Sequence, residues 1–292
     1  MAAIHRRWFL QGSIAFGATS LALIHQKAIA RNSIYVSNAE EFFYAIGSNR
    51  TIILKPGIYF LSEISGESEQ DHARFEPVHD GKELVISKVE NLKIIGEIDD
   101  LVSLIVNPRY ANVLKFDNCN NVEIENIKGG HLPELGYCRG GVLFFRNTSH
   151  VHIQDCVLFG SGIWGIEAIA TENLTCRRTI IRDCTYRILR LTDINTATFI
   201  DCHFFDNRRF EMVMVRSSQN VEFRNCDFRT NRVDTNWNDS FFLISESEPV
   251  RLIDCLFRDN EADILIQDTR LLNMSRTRFE NNSFQVPNNT AI

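Results

Sequence analysis

Four short stretches decide how this chain folds: Ile153-Gln154-Asp155-Cys156, Ile200-Asp201-Cys202-His203-Phe204, Arg224-Asn225-Cys226-Asp227-Phe228 and Ile253-Asp254-Cys255-Leu256-Phe257. They superpose on one template, and Ile127, Thr179 and Thr277 fill the cysteine slot elsewhere. The slot therefore recurs at 127, 156, 179, 202, 226, 255 and 277, a period near 23 lengthened by about six residues in two places. Such self-similarity marks a chain built by stacking one structural unit on the next.

Two further series run in phase with the slot. One comprises short apolar segments such as Val142-Leu143-Phe144-Phe145, Ile166-Glu167-Ala168-Ile169 and Met212-Val213-Met214-Val215. The other alternates apolar with polar residues, as in Val122-Glu123-Ile124, Val151-His152-Ile153 and Val221-Glu222-Phe223, the pattern of a half-buried strand. Three short strands every 23 residues predict an all-β, three-sheet parallel β-helix of about eight to ten coils. Helical repeats would need a 3.6-residue period instead. Stacking turns equivalent inward residues into columns: Cys202, Cys226 and Cys255; Phe204, Phe228, Phe257 and Phe279; and Asn207, Asn231, Asn260 and Asn282, with Ser161 and Cys184 in the asparagine slot. An inward asparagine column can satisfy turn amides and carbonyls from coil to coil. The slot cysteines and Cys176 are then core residues, expected as free thiols, and Cys119 and Cys138 lie outside these columns.

The order Ile34-Tyr35-Val36, a short helix over Ala39 to Ile46 capped by Asn38, and Thr51-Ile52-Ile53-Leu54-Lys55-Pro56-Gly57-Ile58-Tyr59 resembles the opening of pectin-lyase-like proteins. That resemblance covers the pattern of residues 34–282 and implies a right-handed β-helix whose N-terminal helix covers the open core. It carries no activity with it. The Asn-Thr-Asp, Asp-Asp and His-Gly set of polygalacturonases is absent, as is the Asp-Pro-His-Asp of mannuronan epimerases. No aspartate cluster suggests the calcium site of pectate lyases, so no cofactor or metal is expected.

His5-Arg6-Arg7-Trp8-Phe9-Leu10-Gln11 resembles the twin-arginine export motif, with His5 and Gln11 departing from its usual residues. A moderately apolar run, Gly12 to Ile24, and Ala28-Ile29-Ala30 follow as in a cleavable signal. The run is too short for a stable membrane span. The organisation read here is an export signal over 1–30, an N-terminal strand and capping helix over 31–61, the β-helix over 62–282 with a charged loop at 62–80, and a polar tail over 283–292. The expected destination is the periplasm or the medium, by way of the twin-arginine machinery. The 292 residues carry a net charge of −6; losing Arg6, Arg7 and Lys27 would take 31 basic residues to 28 against 37 acidic, a net of −9. An acidic molecule is poorly suited to non-specific nucleic-acid binding.

Chemistry is expected at one turn. Both long insertions, Gly129 to Gly141 and Arg232 to Ser240, follow the Cys/Phe strand, and stacking puts them on one edge of the solenoid. Between them the shorter turns carry Trp164, Tyr186, Arg187, Arg208, Arg209 and Phe210, and the second insertion adds Trp237. Flat rings beside charged hydrogen-bonders suit an extended sugar chain, and these seven are the candidate substrate-binding residues. The bland alternative is an edge that merely covers the core. His131, Glu134, Tyr137, Glu167 and Arg190 are the candidate catalytic residues. In a β-elimination, Arg190 or Arg187 would neutralise a uronate, His131 or Lys115 would be the base and Tyr137 the acid. A hydrolase would pair Glu134 with Glu167 or Glu211. Glu167 and Arg190, one coil apart, read by default as a salt bridge. Two functions stay open: a lyase or hydrolase acting on a polysaccharide, and a non-catalytic β-helix that binds envelope glycan or serves as a structural or assembly module.

Overall fold

The computed structural model describes residues 33–64, 69–98, 101–132, 139–160, 162–234 and 240–284. The segment expected to direct export and the tail beyond 284 lie outside the described residues. The rest is a parallel β-helix. Its third strands form one sheet of nine, running from Gly57–Phe60 through Val102–Val106, Lys128–His131, Val157–Phe159, Ile180–Arg182, His203–Phe205, Asp227–Arg229 and Leu256–Arg258 to Arg278–Glu280. The first and middle strands of each coil stack in the same way and run together in Trp164–Arg177 and Arg187–Ile200. Parallel strands need a crossover to return to the same sheet, and here the rest of each coil supplies it.

What bends the chain is a set of left-handed residues. Asn126, Asp155, Arg178, Asp201, Asn225, Asp254 and Arg276 have φ between 43° and 56° just before the third strand. Asp183, Asp206, Thr230, Asp259 and Asn281, with φ between 50° and 57°, follow it. Asparagine and aspartate tolerate this region better than other non-glycine residues. The Asp/Asn-Cys pairs that disclosed the repeat are thus a left-handed corner followed by an inward core residue.

The inward columns form as expected. Phe204, Phe228, Phe257 and Phe279 pair in register, with successive ring centroids 4.7, 4.5 and 5.1 Å apart. Asn207, Asn231 and Asn260 each reach backward and forward: Asn231 donates to the Phe204 carbonyl at 2.8 Å and to Asn260 Oδ1 at 3.0 Å, while its own Oδ1 accepts from the backbone N–H of Asn207 at 3.2 Å. Cys184 joins the ladder through its backbone N–H, which donates to Asn207 Oδ1 at 3.0 Å; Ser161 lies outside the described residues. The seven described cysteines are buried as thiols, not disulfides. Asn38 caps the helix Ala39–Ala45 by accepting from the backbone N–H of Glu41, and Phe42 and Phe43 are buried against the core.

Two expectations are corrected. Residues 62–80 contain strands: Ala73–Val78 pairs antiparallel with Gly81–Ser87, which in turn pairs parallel with Leu114–Asp117. Lys128–His131 is a strand of the nine-stranded sheet, so the first insertion begins after His131. Glycine is needed there because a Cβ on Gly130 would lie 2.6 Å from the Phe159 ring. Cys119 stands outside the three columns, at a corner where its carbonyl accepts from Ser149 of the next coil and the Thr148 carbonyl there accepts from Glu172.

Candidate functional site

From Cys184 onward the turn after the third strand is anchored by the asparagine ladder, and stacking in register makes the residues just after it recur along one edge. Trp164 lies beside Arg187 in the strand register. From there a continuous stack crosses three coils. The Arg190 and Arg187 guanidinium carbons lie 5.7 and 4.9 Å from the Trp164 ring, and Arg187 is also 4.8 Å from the Phe210 ring. Phe210 stacks on Tyr186 at 5.3 Å with planes 12° apart, and Arg209 lies 5.5 Å from Tyr186. Guanidinium planes over ring faces are mutually attractive, more so when partly desolvated. Arg187 is fixed by Glu211, donating from Nη2 at 2.7 Å and Nε at 3.2 Å. Arg208 is exposed and in register with Arg232 of the next coil.

Five of the expected edge residues therefore meet, but not as a row of free ring faces. Trp164 is only 6% exposed, whereas Phe210 is 38% exposed. Trp237, Glu134 and Tyr137 lie outside the described residues.

Beside the edge, the outer face of the first-strand sheet carries charges at low exposure. Glu167 pairs in register with Arg190, whose Nη1 donates to Glu167 Oε1 at 2.8 Å. Burial pushes the Glu167 carboxyl above the usual range, and Arg190 only partly offsets it. Lys115 donates to Glu76 Oε2 at 2.7 Å and Glu83 Oε1 at 2.8 Å. Burial works against its charge, but these two carboxylates win and its pKa is raised. An ammonium held in this way cannot act as the proton acceptor considered from sequence. Asp117 receives both Nε and Nη2 of Arg146, which lowers its pKa.

His131 is 4% exposed. Its Nε2 lies 3.1 Å from the Gly141 carbonyl, which can only accept, so Nε2 carries the proton. Nδ1 is buried without a partner, and burial lowers the pKa of the ring. The backbone N–H of Gly141 donates to Asn112 Oδ1, and Asn112 Nδ2 to Glu83, so the imidazole ends a polar chain that reaches Lys115. His131 thus forms part of the wall beneath the edge, not a group open to a ligand.

Sequence reasoning missed Glu76, Glu83, Asp117 and Arg146. Asp117 and Arg146 were legible in principle, since Asp117 lies two residues beyond Lys115 on an alternating strand. Glu76 and Glu83 were not, because an antiparallel hairpin inside a parallel repeat brings them there. Among the described residues, no cluster of three metal-ligating side chains occurs and no helix is long and apolar enough to cross a membrane.

Residues 105–228 match the family described as the right-handed beta helix region. Solved structures similar to this chain include a pectate lyase from Paenibacillus sp. 0602, with TM-score 0.59 and 10% identity over 87% of this chain and 78% of that one. Another is a Bacillus subtilis pectate lyase, with TM-score 0.57 and 12% identity over 88% and 82%. A Geobacillus virus E2 protein matches at TM-score 0.51 and 12% identity, over 94% of this chain and 63% of its own. At these identities the likeness is one of fold. Among curated proteins, the probable cell division protein WhiA of Clostridium acetobutylicum is 25% identical over 126 residues, 42% of this chain. The match spans 38% of that relative's length.

Proposed function

We propose that this right-handed parallel β-helix binds an extended polysaccharide along the turn edge and the adjoining outer face of its first-strand sheet. The observation that carries the reading is the stack of Arg190, Trp164, Arg187, Phe210, Tyr186 and Arg209, which crosses three coils beside Glu167. Its rim offers ring edges and N–H donors at coil spacing, about 4.8 Å, along a line that a polymer can follow. The fold shared with pectate lyases supports a glycan ligand by analogy.

If the chain also cleaves its ligand, by a lyase or a glycoside hydrolase route, Glu167 is the described group best suited to move a proton. Its carboxyl is shifted toward neutral pH and it stands next to the edge. The non-catalytic reading, a glycan-binding or structural module, is favoured by one observation: Arg187 and Arg190 are already neutralised by Glu211 and Glu167. Export through the twin-arginine machinery to the periplasm or medium belongs to the same proposal. Folding in a reducing cytosol before export fits a core whose described cysteines are thiols, not disulfides.

The test is a polysaccharide panel on which binding, unsaturated-product absorbance and new reducing ends are followed together. Phe210→Ala should weaken binding about fivefold or more, near 1 kcal/mol, with little change in Tm. Arg251→Ala, on the middle-strand sheet, should leave binding unchanged. Normal binding by Phe210→Ala, or no binding to any glycan by the unaltered chain, would end the proposal.

A further inference from the structure

The outer face of the nine-stranded sheet carries a second group of cations, on a different side of the solenoid from the first-strand face. In the strands His203–Phe205, Asp227–Arg229, Leu256–Arg258 and Arg278–Glu280, the residues on either side of each inward phenylalanine point outward. Elsewhere arginines spend their N–H groups on carboxylates: Arg146, Arg178 and Arg276 each donate twice to one aspartate. Arg229 and Arg258 do not. Asp227 Oδ2 lies 4.0 Å from Arg229, 3.9 Å from Arg258 and 3.6 Å from His203 Nδ1, all beyond hydrogen-bond length. Neither arginine donates a side-chain hydrogen bond among the described residues. Both are open to solvent, with side chains 41% and 38% exposed. Arg229 is also held in place, its guanidinium carbon 4.6 Å from the Phe205 ring.

We infer that Arg229 and Arg258, with His203 and Arg278 beside them, bind a sulfate or phosphate monoester carried by an otherwise uncharged sugar chain. The two arginines are in register one coil apart, about 4.8 Å. A guanidinium fork matches a planar carboxylate one to one, whereas a monoester offers three terminal oxygens in a tripod that two forks can share. The outward residues of these four strands include three arginines against Asp227 and Glu280, a net of +1 before His203 takes a proton, on a chain of net −6. Asp201, Asp206, Asp254 and Asp259 stand at the left-handed corners on the two sides of the face, where Arg276 already neutralises Asp254. A densely charged polyanion, nucleic acid included, would meet that acidic rim as well as the cations. An isolated ester meets the cations alone. The half-buried Leu256 and Phe205 lie among them and add apolar surface for the C–H face of the sugar that bears the ester. This site shares no residue with the edge stack and does not depend on it.

Dextrans of one length, lightly substituted to the same degree with sulfate, phosphate or carboxymethyl groups, read the preference by calorimetric titration of the full chain. Unsubstituted dextran, inorganic sulfate and single-stranded DNA are titrated alongside. One of the two esters should bind about fivefold or more tighter than the carboxymethyl chain, and the other probes more weakly still. Arg229→Gln and Arg258→Gln should each loosen the ester about tenfold, with little change in Tm because neither side chain is hydrogen-bonded. Arg258→Lys keeps the charge without the fork and should recover only part of that loss. Asp227→Asn removes the carboxylate between the cations and should tighten the ester about threefold, which a merely structural patch would not do. Arg251→Gln, an equal loss of charge on the middle-strand sheet, should bind the ester normally, and Phe210→Ala on the turn edge should keep the preference for the ester. Equal losses in Arg251→Gln and Arg258→Gln, no preference over the carboxymethyl chain, or tighter binding of inorganic sulfate or DNA would overturn the site. Failure of both esters to bind would do the same, and a preference lost in Phe210→Ala but kept in Arg258→Gln would assign the ester to the edge instead.

Discussion

Truncation of Phe228 tests the register of the whole solenoid. The ring is fully buried at the centre of its column, 4.5 Å from Phe257 with planes only 5° apart and 4.7 Å from Phe204. Phe223, Phe241 and Phe242 meet it edge-on or tilted at 5.6, 5.9 and 6.2 Å. Phe→Ala in a tightly packed core costs roughly 3–5 kcal/mol. Two lost stacks at about 0.5–1.5 kcal/mol each place Phe228→Ala toward the upper part of that range. A coil in mid-array also contacts both neighbours, so the hole is felt on two sides. Phe279 stacks on Phe257 at the end of the column and is half-buried; its truncation should cost about 2 kcal/mol. Phe144 projects outward, and its truncation should cost about 1 kcal/mol. With a urea slope of about 3 kcal/mol per molar, Phe228→Ala should lower the unfolding midpoint by about 1–2 M and Phe144→Ala by a few tenths. Equal midpoints for these two variants, at unchanged slope, would refute the assignment of inward and outward faces.

Asn231→Ala should destabilise by roughly 2–4 kcal/mol, because it strands the Phe204 carbonyl and the Asn207 amide, and Asn282→Ala at the half-exposed end by less; equal losses in urea melts would contradict a ladder. His131 has a folded pKa below its ordinary 6.5, so only the unfolded chain takes up its proton as pH falls below 6.5. Its contribution is fully present above 6.5 and is lost below it at up to about 1.4 kcal/mol per pH unit; His131→Gln should flatten stability between pH 6.5 and 5, and an unchanged acid limb would count against a buried neutral imidazole. A thiol reagent should label at most one cysteine in the native chain and all eight after denaturation, since burial pushes Cys156 up to about 12 and the other described thiols are enclosed too; rapid native labelling of several would mean that the core opens. Replacing Arg6 and Arg7 by lysine should leave folded precursor in the cytoplasm, as cell fractionation would report; unimpaired export would assign the segment to the general secretory route.

The coils were legible because a stacked repeat writes its geometry into the sequence residue by residue. A left-handed Asp or Asn, then an inward Cys, then an inward Phe two positions on, is a local statement, and repetition at a fixed period makes it global. The Glu167–Arg190 pair followed from the same register. The hairpin Ala73–Ser87 did not, because it interrupts the period, and its charges look like those of a solvated loop until Glu76 and Glu83 are seen on Lys115. Gly129 and Gly130 misled for a related reason. Glycine signals turns, but here its missing side chain makes room for the Phe159 ring and for Val142 within stacked strands.

The edge shows where sequence reasoning stops on the site itself. Coil spacing brings Trp164, Tyr186, Arg187, Arg209 and Phe210 together, as the period requires. It does not say what the ring faces touch, because that depends on rotamers and on lateral offsets of a few ångströms. Three coils of alternating Arg and aromatic residues have used those faces on one another, and Trp164 is nearly covered as a result. A glycan bound as proposed would therefore meet ring rims, the exposed Phe210 and guanidinium N–H groups. On that proposal, hydrogen bonds from pre-ordered donors would contribute more of the binding free energy than stacking. The ion pairs with Glu167 and Glu211 would then serve the proposed site as well as local stability: they hold two long, flexible side chains in one geometry, so that less conformational entropy would be lost on binding.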